Sequence, residues 1–262
     1  MRFIIGLFLF GVLFSCGQDN HEEKKSSYKL KDVKPLFKNE GAFENEIKNI
    51  ESDKNLIEVT SLEYLSNEGE SFVVKGLVET KKEDQGMTIK KLQLKQISAK
   101  GIETTYSYYY IGIRKFASYC EQFILNGNSL DKTLTKSYYD DSSEVIFSKR
   151  TSVSSEKRNE NNYSKCEPIN HDDQLVLKII NQEDEFETKF QGFTENMGKI
   201  YLILGTDHFT SAIAFTEFNP TLKILKNNEK KYLGNKLIVD FSVVEEANGF
   251  TFQALKDIRF AQ

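Results

Sequence analysis

The sequence predicts a mainly β fold, an antiparallel β-sandwich or barrel-like domain with one or two short helices. Three observations carry that expectation. Short apolar runs recur along the chain and are punctuated by Gly, Asn or Pro, with no alternation of strand and helix that would build a parallel sheet. Apolar and polar residues alternate in SFVVKGLVE (71–79) and MTIKKLQLKQI (87–97), the period of a half-buried strand. Asn248-Gly249 lies between two further alternating runs within 236–260, and Asn-Gly is the strongest short hairpin signal.

Taken in order, the segment 37–57 places Phe43, Ile47 and Ile50 at i, i+4 and i+7, which predicts one short amphipathic helix. The runs 71–79 and 87–97 flank TKKEDQG and read as a hairpin. RKFASYCEQFIL (114–125) puts Phe116, Cys120 and Phe123 on one helical face and is read as a second helix, although its neighbours are strand-like. The polar stretch 149–166 reads as a long loop. QLVLKII (174–180) and EFETKFQ (185–191), separated by NQED, read as two strands with a short turn. KIYLIL, TSAIAF and TLKIL add further short apolar runs. No repeat of 20–50 residues is present, which removes solenoid and propeller architectures.

The N-terminus has a different character. Arg2 precedes twelve apolar residues, 3–14. A helix that spans a bilayer takes roughly 20 such residues, so this run fits the apolar core of an export signal instead. Leu13-Phe14-Ser15-Cys16 closes the run, and the chain turns polar immediately after the cysteine. This stretch resembles the lipobox of bacterial lipoproteins, a resemblance confined to residues 1–16. It implies that the Cys16 thiol is lipidated, that residues 1–15 are removed as a signal peptide, and that Cys16 becomes an acylated N-terminus. One acyl chain holds a protein only reversibly; a diacylglyceryl group with a third, palmitate-type chain retains it on a membrane. The resemblance therefore implies a lipid-anchored protein of the cell envelope, at the outer membrane, facing either the medium or the periplasm. Residues 16–36 are polar and charged and read as the lipidated cysteine with a flexible tether. Residues 37–262 read as a single β-rich domain, with 150–167 as the place where it would subdivide.

Loss of residues 1–15 leaves 247 of the 262 residues, and 34 basic side chains (35 less Arg2) against 39 acidic ones, a formal charge of −5. That balance argues against a nucleic-acid partner, whose binders concentrate Lys and Arg. Cys120 and Cys166 remain after lipidation of Cys16, and an exported chain usually bridges such a pair, so a disulfide between them is expected; two buried thiols are the alternative.

Catalytic chemistry finds little support. Of the three histidines, His21 lies in the tether, leaving His171 and His208. GTDHFTS brings Asp207, His208 and Ser211 close in sequence, but the stretch lacks the G-x-S-x-G elbow of a nucleophilic serine. NHDD (170–173) and YYDD (138–141) offer oxygen and imidazole ligands without the spacing of a calcium loop or a zinc site. There is no phosphate-binding glycine motif either. No metal, cofactor or catalytic set is expected. The most unusual stretch is TTYSYYYIGI, where Tyr106, Tyr108 and Tyr110 share one face of a strand about 6.6 Å apart. A flat ring with a polar tip suits a sugar or peptide, so this face is the candidate binding surface, with Ser107, Tyr109, Ile111 and Ile113 facing the core. The bland alternative is that the tyrosines cover half-exposed sheet. The function read from the sequence is a non-catalytic binding domain for a protein or glycan partner, held on a membrane by its lipid. A structural or assembly accessory of the envelope is the alternative, and an envelope hydrolase using His208 and Ser211 the third reading.

Overall fold

The computed structural model describes residues 37, 39–80, 86–126, 129–153 and 162–261. Cys16 and the tether lie outside the described residues, as do most of the 80–86 turn and the middle of the polar stretch 149–166. The chain is mainly β, as expected. A first helix α1 (Glu40–Ser52) leads into β1 (Ile57–Thr60), β2 (Tyr64–Ser66), β3 (Ser71–Thr80), β4 (Met87–Ile97) and β5 (Glu103–Ile111). Next come β6 (Arg114–Asn126), β7 (Ser129–Tyr139), β8 (Val145–Val153) and β9 (Ser164–Cys166). Helix α2 (Gln174–Asn181) precedes β10 (Phe190–Asn196), β11 (Lys199–Gly205) and β12 (Phe209–Phe215). Helices α3 (Pro220–Asn227) and α4 (Glu229–Tyr232) lead to β13 (Leu237–Glu245) and β14 (Thr251–Phe260).

The fourteen strands among the described residues belong to one sheet, in the order β10-β11-β12-β2-β3-β4-β5-β6-β7-β8-β9, with β1 added on β3, β14 on β12, and β13 on β14. Seven consecutive strands, β3 to β9, form an antiparallel meander, and among the described residues only β12–β14 pair in parallel. The path ends at β10 and β9, so the sheet is not closed into a barrel. The hairpins expected at 71–97 and around Asn248-Gly249 are present as β3–β4 and β13–β14.

Between β1 and β2 the ladder to β3 is interrupted, and the side chain of Gln253 stands in for a strand. Its Oε1 accepts from the Glu63 N–H at 3.0 Å and its Nε2 donates to the Ser61 carbonyl at 3.0 Å. Gln253 thus gives each backbone group a partner where the ladder to β3 supplies none.

Two apolar clusters hold the sheet. The larger joins β2–β5, β10–β14, α2 and α3 through side chains such as Leu92, Tyr108, Ile179, Phe186, Leu202 and Ile213. The smaller lies under α1, whose Phe43, Ile47 and Ile50 are buried as the spacing predicts, against Tyr109, Phe116, Ala117 and Tyr138. Asn39 caps this helix, its side chain accepting from the Ala42 N–H at 3.0 Å. Carboxylates on α1 also pair with lysines on successive parts of the sheet: Glu40 with Lys149 of β8, Glu44 with Lys136 of β7 at 2.9 Å, and Glu51 with Lys91 of β4 at 2.7 Å.

Three expectations are corrected. The segment 114–125 is strand β6 and not a helix. Lys115 to Ser118 are consecutively buried because both faces of this strand are covered, which erases the alternation that marks a strand. QLVLKII forms α2 and TLKIL forms α3, so the helices outnumber the one or two expected. Val176, Ile179 and Ile180 are buried at helical spacing, and the Asn219 side chain caps α3 by accepting from the Leu222 N–H at 2.8 Å, with Pro220 beginning the helix.

Candidate functional site

Tyr106, Tyr108 and Tyr110 do share one face of β5, but that face is turned inward. Tyr108 is 2% and Tyr110 0% exposed, and Tyr106 packs half-buried against the same cluster. Tyr109, on the opposite face, is equally buried and donates to Glu51 Oε1 at 2.7 Å. The expected exposed tyrosine face is therefore corrected to a core face. Tyrosine can serve there because its polar tip finds a buried acceptor. The Tyr108 hydroxyl donates to the Asp172 carbonyl at 2.8 Å, and that of Tyr110 to Asp173 Oδ2 at 2.9 Å.

Those acceptors belong to a segment, 169–173, that is fastened to the sheet by polar side chains. Ser118, Ser137 and Ser148 are successive register partners on β6, β7 and β8. Ser137 Oγ donates to the Ile169 carbonyl at 2.6 Å, and Ser148 Oγ accepts from the Ile169 N–H at 2.9 Å. Ser118 Oγ lies 2.8 Å from His171 Nδ1 and 2.8 Å from the Tyr139 hydroxyl. The Lys115 ammonium, 6% exposed, donates to the His171 carbonyl and to Asp173 Oδ1 at 3.2 Å, and sits 4.6 Å above the Tyr139 ring. A serine beside a histidine invites comparison with a nucleophile and its base. Here Ser118 is 0% exposed, and the Asp173 carboxylate accepts from Lys115 and Tyr110. The arrangement satisfies buried polar groups and holds a strap in place.

Burial, with the positive charges of Lys115 and Arg150 adding to it, holds the His171 imidazole down at about 4 instead of its ordinary 6.5. The unfolded chain thus takes up a proton at a higher pH than the folded one, so this contribution to stability is complete above pH 6.5 and is lost as pH falls towards about 4. A loss of about 3 kcal/mol at most follows across that window. Urea unfolding measured stepwise over the same window should show this fall, and a His171→Asn variant should flatten it. A variant with the full wild-type slope would place the effect elsewhere.

Cys120 and Cys166 are both free thiols, so the expected bridge is corrected. Cys120 lies on β6 and Cys166 on β9, three inter-strand spacings apart. At about 4.8 Å per spacing that is roughly 14 Å, twice the reach of a disulfide between Cα atoms. Burial pushes the Cys120 thiol up to about 11.

GTDHFTS forms the turn from β11 to β12. His208 is exposed, whereas Ser211 is 3% exposed with its Oγ lacking a hydrogen-bond partner among the described residues. No hydrogen bond joins Asp207, His208 and Ser211 to one another there. His208 and Phe209 instead line an open cleft of about 570 Å³ with Ser66, Glu68, Glu70 and Glu185. Asn67 Nδ2 donates to the Asp207 carbonyl at 2.6 Å and ties the two turns of the cleft together. Asp140 of YYDD caps its own turn, its Oδ1 accepting from the Ser142 and Glu144 N–H groups at 2.8 and 3.0 Å. Among the described residues, no group of three or more His, Cys, Asp and Glu side chains is placed to hold a metal ion.

A second hollow, of about 140 Å³, opens on the face of the sheet that carries α1. It is lined by side chains from four strands and by Tyr163, among them Gln93, Thr105, Ser107, Tyr119 and Lys136. Gln93, Ser107, Tyr119 and Lys136 are successive register partners across β4, β5, β6 and β7. No local motif announces this row; only the register assembles it. No protein family, curated protein or solved structure matches the chain.

Proposed function

We propose that this chain is a lipid-anchored protein of the cell envelope whose β-rich domain binds a protein or glycan partner and performs no catalysis of its own. The observation that carries the reading is the apolar run 3–14 closed by Leu13-Phe14-Ser15-Cys16 and followed at once by a polar tether. Three acyl chains on Cys16 hold the domain at a bilayer, and the tether lets it reach outwards to its partner. The domain lends support in two ways. Its serine–histidine contact is interior and fastens a strap, and its concave surfaces lie open on the outside of the sheet.

Expression in a bacterial host with a clickable palmitate analogue tests the anchor. The wild-type chain is expected to take up the label and to enter the detergent phase, and Cys16→Ala to do neither. A wild-type chain that stays unlabelled and in the aqueous phase would overturn the reading. Protease treatment of intact against lysed cells then assigns the leaflet.

A further inference from the structure

We propose that β13 is a dimerisation edge, on which a second copy of this chain adds its own β13 in antiparallel register centred on Phe241. The proposal goes beyond the binding reading above and depends neither on the lipid anchor nor on any other partner. Three observations lead to it.

The first is an open edge. β13 pairs with β14 on one side, and no strand among the described residues runs along its other side. Its two ends show which backbone groups are open. At the start, Leu237 faces away from β14: its N–H donates to the Thr188 carbonyl at 2.9 Å, and its carbonyl accepts from Thr188 Oγ1 at 2.5 Å. Just past the far end, Glu246 faces inward, its N–H donating to the Phe250 carbonyl across the hairpin at 2.8 Å. Hydrogen-bonding groups alternate sides along a strand, so those of Val239, Phe241 and Val243 point outwards. The bulge in this hairpin adds Lys256 to β14 and no residue to β13, so the alternation is kept. The second observation is that the edge is unguarded. Proteins blunt an exposed edge by shortness, a bulge, lysine or proline. β1 and β9 are four and three residues long, and the register of β10 breaks at Gly192. β13 runs for nine residues, LIVDFSVVE, without Lys or Pro, and its Val243 and Ile238 are 54% and 37% exposed.

The third observation is that the strand is complementary to itself. Only outward residues exchange bonds with a partner, so Phe241 pairs with Phe241 of the second copy, and Val239 with its Val243. Each such pair exchanges two bonds, about six in all. On one face Val239 meets the second copy's Val243; on the other, Ile238 meets its Val244, and Asp240 meets the hydroxyl of its Ser242. The exposed apolar side chains are thus the ones covered, and no like charges oppose each other. Neighbouring registers do worse. Centred on Asp240, the pairing opposes two aspartates; centred on Ser242, it sets Ile238 against Glu246 and Asp240 against Val244. The pairing is two-fold and consumes both edges, so assembly stops at two chains.

The test uses the full chain in detergent micelles, as two single variants, Asp240→Cys and Ser242→Cys. In the proposed register these positions face each other as a non-hydrogen-bonded pair, with Cα atoms about 4.5 Å apart and within disulfide reach. So short a strip suits a Kd on the order of 10 μM, and the chains are mixed at roughly tenfold above it. Mild oxidation of the equimolar mixture is expected to give a disulfide-linked dimer on a non-reducing gel. Either variant alone, and the wild-type chain with its own cysteines, should give at least about fivefold less, because no two thiols then face each other. Adding Val243→Lys to both variants should cut the yield about tenfold at an unchanged melting temperature, since a lysine on an exposed edge opposes pairing. Three outcomes would overturn the proposal: the mixture links no better than the wild-type chain, Ser242→Cys alone links as well as the mixture, or Val243→Lys leaves the yield unchanged. Each leaves the palmitate result untouched, so failure here and failure of the anchor are told apart.

Discussion

Asp173→Ala is expected to destabilise the fold by about 3–5 kcal/mol, because it leaves an ammonium buried without its counter-ion. Lys115 is 6% exposed, and its ion-pair partner is Asp173 Oδ1 at 3.2 Å. The Tyr139 and Tyr108 rings, 4.6 and 5.7 Å from its nitrogen, and the His171 carbonyl soften the loss without supplying a negative charge. The Tyr110 hydroxyl loses its acceptor in the same substitution. Replacing both charges, as Lys115→Met with Asp173→Leu, should recover most of the loss, since a paired charge in an interior is close to neutral against an apolar pair of similar volume. Urea midpoints of the two single variants and the double variant measure this directly. If the double variant is no more stable than Asp173→Ala, the stranded charge is not the cause.

Gly205→Ala should be comparably severe, at about 3–5 kcal/mol, for a steric reason. The residue ends β11 at φ +137°, and a Cβ there would stand 2.1 Å from the Phe209 carbonyl oxygen and 2.9 Å from Thr210 Cα. The backbone cannot swing clear. The Gly205 N–H donates to the Lys189 carbonyl at 2.8 Å, and its own carbonyl accepts from Gln191 Nε2 at 2.9 Å. Gly198→Ala, at φ +72° with nothing within 4 Å, is the control and should cost only about 1–2 kcal/mol. Equal losses in the two variants would show that conformation, and not the close approach of Phe209, sets the cost.

How much of this was legible in the sequence depended on whether an element has one covered face or two. Helix α1 has one, and Phe43, Ile47 and Ile50 declared it. Strands β3 and β4, and the hairpin at Asn248-Gly249, kept enough alternation to be read. Strand β6 has two, with α1 on one side and residues 169–173 on the other, so Lys115 to Ser118 showed no period at all. The tyrosine stripe failed for the same reason. Alternation put Tyr106, Tyr108 and Tyr110 correctly on one face of β5, but could not say that partners from more than 60 residues away would cover it. Two signals were present and carried information: the Val176, Ile179, Ile180 spacing of α2 and the Asn219-Pro220 start of α3. The row Gln93, Ser107, Tyr119, Lys136 carried none, since four registers decide it jointly.

The side chain of Gln253 has a bearing on the order in which the molecule is assembled. Strands β3 to β9 each pair with the one just made, so their contacts are local and can form quickly as the chain emerges. The interruption between β1 and β2, near the beginning, is completed by a residue about 190 positions later. Until β14 arrives, the Glu63 amide and the Ser61 carbonyl wait without that partner, and the two ends of the chain close the structure together. A protease that reaches the chain during this interval meets an incomplete sheet, so the last dozen residues govern how long the nascent domain stays vulnerable.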